Sequence, residues 1–142
     1  IAVMRQGRVE QLDTPERVFH APANRFVAAF MGEAAFLACD GPDLPLLGIE
    51  PDGDATATMM LRPDDVTFTD TPDGVAEVVG AEFRGSTWCY TLRLPSGTTV
   101  LSTRSHLFHV AVGTRVTPAL VPGHAPVRIP EEPSPGRANA RR

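Results

Sequence analysis

The chain has 142 residues, of which 42% are hydrophobic, so it can form one compact domain or a small domain with an attached segment. Its formal net charge of −4 disfavours nucleic acid as the main partner, because binding phosphates requires a basic surface. The 13 residues in the lysine and arginine total are all arginine, which excludes a phosphate-binding loop of the kind that needs a lysine. No apolar run approaches the length that spans a bilayer.

The chain is predicted to begin with a β-hairpin. Residues 1–4 form an apolar strand and residues 9–12 form the returning strand, on either side of Gly7, which can adopt the positive φ that a tight turn needs. A lone hairpin of this kind usually joins a larger sheet. We therefore expect its apolar side chains to find little to pack against within this chain.

Two short helices are predicted to follow the hairpin. Thr14 can cap the first helix, Pro15 suits its first turn, and Pro22 ends it. The second helix is expected from residue 23 or 24 onward, with Gly32 as its terminator. Its apolar face consists of Phe26, Val27, Phe30 and Met31.

After Gly32, helical periodicity gives way to short β-type segments separated by Gly, Pro and Asp. Many short strands at this spacing predict a small antiparallel barrel or sandwich. Residues 122–142 are rich in Pro, Gly, Arg and Glu, so this tail is predicted to be disordered. The predicted strands are residues 35–39, 57–61, 66–69, 75–83, 87–94, 98–103 and 115–121.

Residues 1–37 contain an ordered series of motif residues: Ile1, Ala2, Val3, Met4, Gly7, Glu10, Gln11, Thr14, Pro15, Glu16, Pro22, Asn24, Phe26, Val27, Ala28, Phe30 and Gly32. This series resembles the segment that follows the switch histidine in ATPases of ABC importers of the iron, polyamine and maltose type. Two positions depart from the family pattern. Asp13 stands where the family usually has glycine, and Ala35 stands where it often has asparagine.

The rest of the chain carries LRPDDV at residues 61–66, FRGS at 83–86, a hairpin glycine at Gly97 and GTRV at 113–116. Together these resemble the TOBE domain, the OB-type regulatory domain that follows the ATPase domain in this family. The resemblance implies a mainly β chain in which an OB-like antiparallel barrel follows a hairpin and two helices. The expected division is a C-terminal remnant of the nucleotide-binding domain at 1–33, the TOBE domain at 34–121 and a disordered tail at 122–142.

The resemblance also implies a function. The chain is expected to be a non-catalytic portion of a transport ATPase subunit that works at the cytoplasmic face of the cell membrane. Its partners would be a second copy of the subunit and, through the domain that is missing here, the transmembrane permease subunits; nucleic acid is not expected. The family's P-loop, signature motif and switch histidine have no counterpart in this sequence. ATP and magnesium would therefore bind the intact subunit, and no cofactor is expected in this chain.

Arginine and aromatic residues dominate the energetics of protein interfaces. On this basis the candidates for a regulatory or dimer-interface role are Arg62, Asp64, Phe83, Arg84 and Trp88. A competing interpretation stays open beside the interface role: Phe83 and Trp88 can be core residues, and the arginines can simply solubilise the surface. No catalytic or metal-binding residue is expected, since His106 and His109 have no further ligand at a useful spacing.

An alternative function belongs to a different class of protein. OB-type domains also occur as free-standing modules that bind oligonucleotides or small oxyanions. For the transporter reading, the resemblance implies a solute of the iron, polyamine or sugar class.

Overall fold

The computed structural model of the chain describes residues 1–130. The mainly β architecture with a hairpin and two helices confirms the predicted fold class. The elements are β1 (Ala2–Arg5), β2 (Arg8–Leu12), α1 (Pro15–His20), α2 (Arg25–Met31), β3 (Ala35–Ala38), a 3₁₀ helix (Leu44–Leu47), β4 (Thr58–Leu61), β5 (Val66–Asp70), β6 (Ala76–Phe83), β7 (Thr87–Arg93), β8 (Thr99–Ser105), β9 (Arg115–Leu120) and β10 (Val127–Ile129).

Both helices begin with a side-chain cap, at the predicted cap Thr14 for α1 and at Asn24, within the predicted start region, for α2. The Thr14 side chain accepts a hydrogen bond from the Arg17 backbone N–H at 3.4 Å, and the Asn24 side chain accepts one from Val27 at 2.9 Å. These contacts satisfy backbone donors that a first helical turn leaves without partners. With six and seven residues, neither α1 nor α2 is long enough to cross a bilayer, and no other helix within residues 1–130 is.

The largest sheet has five antiparallel strands in the order β5-β9-β6-β7-β8. Its two edge strands approach each other without forming a continuous ladder. The Thr103 N–H donates to the Pro63 carbonyl at 2.7 Å, and the Ser102 hydroxyl donates to the Val66 carbonyl at 2.5 Å. The sheet therefore curls into a barrel-like shape that is partly open, as in OB-type folds.

The core of this barrel follows the alternation of its strands. Tyr90 and Leu92 of β7 are fully buried, and they pack with Val100 of β8 and Val78 of β6. The buried Tyr90 hydroxyl donates to the Phe108 carbonyl at 3.1 Å, so its polar end is satisfied.

The N-terminal hairpin and helices have more to pack against than we expected. Val3 of β1, Val18 of α1 and Val27 of α2 are at most 1% exposed and form a small core of their own. Ala28, on the other side of α2, packs against the β-rich region through Met60 of β4.

The prediction of a disordered tail from residue 122 was wrong for the segment that forms β10. This strand pairs antiparallel with β4, in a three-stranded sheet of order β10-β4-β3. Ile129 is 1% exposed and packs with Ala28 and Met60. The apolar alternation of Val127 and Ile129 suffices for a strand because a partner strand is already in place. Residues 131–142 lie outside the described part of the chain.

Candidate functional site

The five candidate residues do not form one site. Arg62 and Asp64 lie at the turn after β4, between the helices and the barrel, whereas Phe83, Arg84 and Trp88 lie together at the β6–β7 hairpin.

Arg62 is buried at the junction between the helices and the barrel, with 3% of its surface exposed. Its guanidinium lies over the Phe19 ring, 4.0 Å from the ring centroid. It donates hydrogen bonds to four backbone carbonyls, those of Ala28 and Gly32 at 3.1 Å, Glu33 at 3.2 Å and Phe19 at 3.1 Å. One side chain thus holds the C-terminal ends of both α1 and α2.

This arrangement suits the chemistry of helix ends. The last carbonyls of a helix have no partner within the helix, and a cation is favoured there by the helix dipole. Burial lowers the pKa of Arg62, and the charges of Asp65 and Asp64 oppose that shift. Because Arg62 is covered by its own chain, it is not exposed to a second copy. This corrects our expectation that it could lie at a dimer interface. Arg62 connects the helices to the barrel within one molecule, and we call this set of contacts the Arg62 joint.

The carboxylate that organises the turn after β4 is Asp65. It accepts a hydrogen bond from the Arg62 backbone N–H at 2.6 Å, and its other oxygen lies 2.8 Å from Nδ1 of His124. Asp64 is exposed and has no such contacts within residues 1–130. Asp64 was the predicted candidate and Asp65 was not, although aspartate just after a strand is common in turns.

Phe83 and Trp88 face each other directly across the β6–β7 pair. Their ring centroids are 5.0 Å apart, and Trp88 also stacks on Tyr90 at 6.1 Å. Phe83 is 59% exposed, whereas Trp88 is half-buried between the core and the surface. The core reading is therefore wrong for Phe83, which presents most of its ring to solvent.

Arg84 ties this hairpin to the segment that follows α2. Its two terminal nitrogens lie 2.6 and 2.8 Å from the carboxylate oxygens of Glu33, and one of them lies 3.0 Å from Glu82. The hydrogen bond from Arg84 lowers the pKa of Glu33 against the opposing effect of desolvation. A bidentate arginine–carboxylate pair has a defined geometry. Arg84 therefore forms a second joint, which connects the β6–β7 hairpin to the segment that follows α2. Sequence reasoning missed Glu33, which is 51 residues away.

A further exposed apolar residue lies on the neighbouring loop. Leu107 is 83% exposed, and the loop that carries it is held near the hairpin by the hydrogen bond from the His106 N–H to the Ser86 carbonyl, at 3.1 Å. The ring of His109 on the same loop lies 5.6 Å from Trp88. We call the group Phe83, Trp88, Leu107 and His109 the hairpin patch.

Comparison with known families identifies the class of domain. Residues 59–127 match the family described as TOBE domain, which has the OB-like fold seen here. The barrel is therefore a TOBE domain.

Comparison with known proteins extends the relationship beyond the TOBE domain. The chain is 33% identical over 122 residues to the spermidine/putrescine import ATP-binding protein PotA of Marinobacter nauticus, an alignment that covers 72% of the chain and 33% of that protein. It is also 33% identical over 138 residues to the xylose/arabinose import ATP-binding protein XacK of Haloferax volcanii, covering 82% of the chain and 36% of that protein. The sulfate/thiosulfate import ATP-binding protein CysA 2 of Chromobacterium violaceum is 40% identical over 76 residues, which cover 46% of the chain and 20% of that protein.

The chain belongs to the ATP-binding subunits of ABC importers and corresponds to their C-terminal, TOBE-containing region. It spans about a third of the length of the first two of these relatives. A free-standing OB module that binds oligonucleotides or oxyanions is not favoured by these relationships.

Proposed function

We propose that this chain is the regulatory and dimerisation portion of an ATP-binding subunit that drives solute import through an ABC transporter. The subunit would work at the cytoplasmic face of the cell membrane, and its missing ATPase domain would contact the permease subunits. The relatives' names mention polyamines, pentoses and sulfate. The polyamine and sugar names agree with the iron, polyamine or sugar class that the sequence motifs imply, and the solute is proposed only as a member of that class.

The observation that carries the proposal is the exposed hairpin patch on a domain that is held to the helices by two polar joints. Aromatic side chains such as Phe83 and Trp88 are typical anchors of protein interfaces. The Arg62 joint and the Arg84–Glu33 pair link the barrel to the segment around α2. A contact at the hairpin patch can therefore bias the position of the attached ATPase domain, which is what regulation by a two-state arrangement requires.

The partner proposed for the hairpin patch is a second copy of the subunit. The test is the dimer dissociation constant of the intact subunit with Phe83→Ser, measured by analytical ultracentrifugation. Loss of an exposed aromatic anchor is expected to weaken the dimer by roughly 5- to 30-fold, corresponding to about 1–2 kcal/mol. The melting temperature should stay nearly constant, because Phe83 is mostly exposed in the single chain.

Val75→Ser is the matched control. Val75 is 38% exposed and lies just before β6, about 25 Å from Phe83 along the strand. The Val75 variant should dimerise normally. An unchanged dimer constant for Phe83→Ser, or equal weakening by both variants, would contradict a dimer contact at the hairpin patch. Arg84→Glu is less informative, because it also breaks the Glu33 joint.

The proposal assigns ATP and magnesium to the intact subunit and no cofactor to this chain. The physical reason is the absence of a lysine that could reach the phosphates. Isothermal calorimetry of the purified 142-residue chain with Mg-ATP should give no heat of binding, and micromolar affinity would contradict the assignment.

A further inference from the structure

A groove of about 600 Å³ lies between β1, α2 and the three-stranded sheet, away from the hairpin patch. Its volume falls within the range of roughly 300–1,000 Å³ that is typical of small-molecule sites. Among residues 1–130, its lining includes two arginines and no acidic residue. The groove is thus locally cationic on a chain whose formal net charge is −4.

Arg25, at the start of α2, is the main polar group of the groove. Its guanidinium lies over the Phe36 ring of β3, 4.5 Å from the centroid. Within residues 1–130 it has neither a hydrogen bond nor an ion pair. Stacking on a ring occupies a face of the guanidinium but leaves the N–H groups along its edge available to an acceptor.

The other lining residues favour a ligand that is both anionic and partly apolar. Arg5 adds a second positive charge, with its guanidinium 4.9 Å from the centroid of the Phe26 ring. Phe26 and Ala29 of α2 supply apolar surface along the same wall. Thr58 of β4 also lines the groove, and its buried hydroxyl has no hydrogen-bond partner within residues 1–130. A buried polar group without a partner calls for an explanation such as a bound water or ligand.

We propose that this groove binds a small organic carboxylate. The carboxylate pairs with the N–H edge of Arg25, because the planar guanidinium fork matches a carboxylate in geometry and charge. The apolar body of the ligand packs along Phe26 and Ala29. The ligand touches both α2 and the sheet that contains β3 and β4, so it binds where the helices meet the β-rich region.

The experiment is an NMR titration of the full 142-residue chain with benzoate, following the amide signals of α2 and β4 and the side-chain Nε signal of Arg25. Saturable shifts at millimolar benzoate are expected. Benzyl alcohol lacks the charge and acetate lacks the apolar body, so both should bind at least several-fold more weakly. Benzyl alcohol binding as well as benzoate would overturn the role of the charge, and absence of saturable shifts with benzoate would overturn the site.

Arg25→Gln should weaken benzoate binding about tenfold or more, as expected for loss of charge-assisted hydrogen bonds. Arg93→Gln is the matched control, since Arg93 is an exposed arginine on β7 in the other sheet and pairs with Glu77. It should change the affinity less than twofold. Equal affinity of the Arg25 variant and the unmodified chain would overturn the proposal.

A further variant tests the location of the site without removing Arg25. Ala29→Gln keeps Arg25 but fills the groove with a neutral side chain, so it should also abolish binding; unchanged binding would place benzoate elsewhere.

A double variant tests the effect of the acidic residues that come next in the chain. Glu131 and Glu132 follow the lining residue Pro130 in the sequence. Replacing both with glutamine should leave benzoate affinity equal or raise it, because two negative charges that follow Pro130 in the sequence are removed. Weaker binding in that double variant would contradict an anion site formed by Arg25.

Discussion

Replacing Arg62 with methionine is expected to lower the free energy of unfolding by about 3–5 kcal/mol. Methionine fills a similar volume but donates no hydrogen bond, so the four carbonyls that Arg62 holds lose their donor. The gross loss would be larger, because hydrogen bonds to a charged group contribute roughly 1.5–3 kcal/mol each. The buried guanidinium also costs desolvation energy, which its removal recovers, and this brings the net effect to the range known for one member of a buried polar set.

An effect of this size is a large fraction of the total free energy of unfolding of a small domain, about 5–15 kcal/mol. It corresponds to a fall in melting temperature of roughly 10–20 °C for a chain of this length. Urea unfolding of the Arg62→Met chain measures the change. Hydrogen exchange should show that α1 and α2 lose protection more than the five-stranded sheet does, because the joint holds the helices.

Arg93→Met is the control for loss of an arginine. Arg93 pairs with Glu77 at 2.8 Å, and its side chain is 51% exposed. A half-exposed ion pair contributes less than about 1 kcal/mol. If Arg62→Met cost no more than Arg93→Met, or if protection fell equally in the helices and the sheet, the assignment of Arg62 as the joint would be refuted.

Ile129→Ala should destabilise the chain by about 2–4 kcal/mol in urea unfolding, because Ile129 is 1% exposed against α2 and β4. Val127→Ala, at a half-buried position of the same strand, should lower the free energy of unfolding clearly less. Equal or negligible effects of the two variants would show that Ile129 does not anchor β10 to the fold. The hydrogen bond from the Thr56 side chain is the main cause that lowers the pKa of Asp54 to about 2, so Thr56→Val should raise that pKa toward 3.8 in an NMR titration. The stabilisation from Asp54 is therefore complete above pH 3.8 and is lost as the pH falls toward 2, and an unchanged pKa in the variant would contradict the assigned cause.

The local elements could be predicted from the sequence because their signals lie within a few residues. Thr14 and Asn24 cap their helices through contacts three residues away. The predicted segment 87–94 contains β7, whose alternation places Tyr90 and Leu92 in the core. The family, too, was recognisable from short motifs. These features depend on backbone geometry and on a repeat of two or about four residues, which a sequence displays directly.

The joints between the parts of the chain depended on tertiary structure. Arg62 contacts carbonyls 29 to 43 residues away, and Arg84 contacts Glu33 at a separation of 51 residues. An arginine next to a proline reads equally well as a surface residue, and only the position of two helix ends turns it into a buried one. The strand β10 has the same origin, since three residues of a Pro- and Gly-rich tail become ordered only because β4 and α2 offer a paired edge and an apolar surface. Local sequence carries propensity, whereas burial and long-range pairing depend on which distant groups the folded chain brings together.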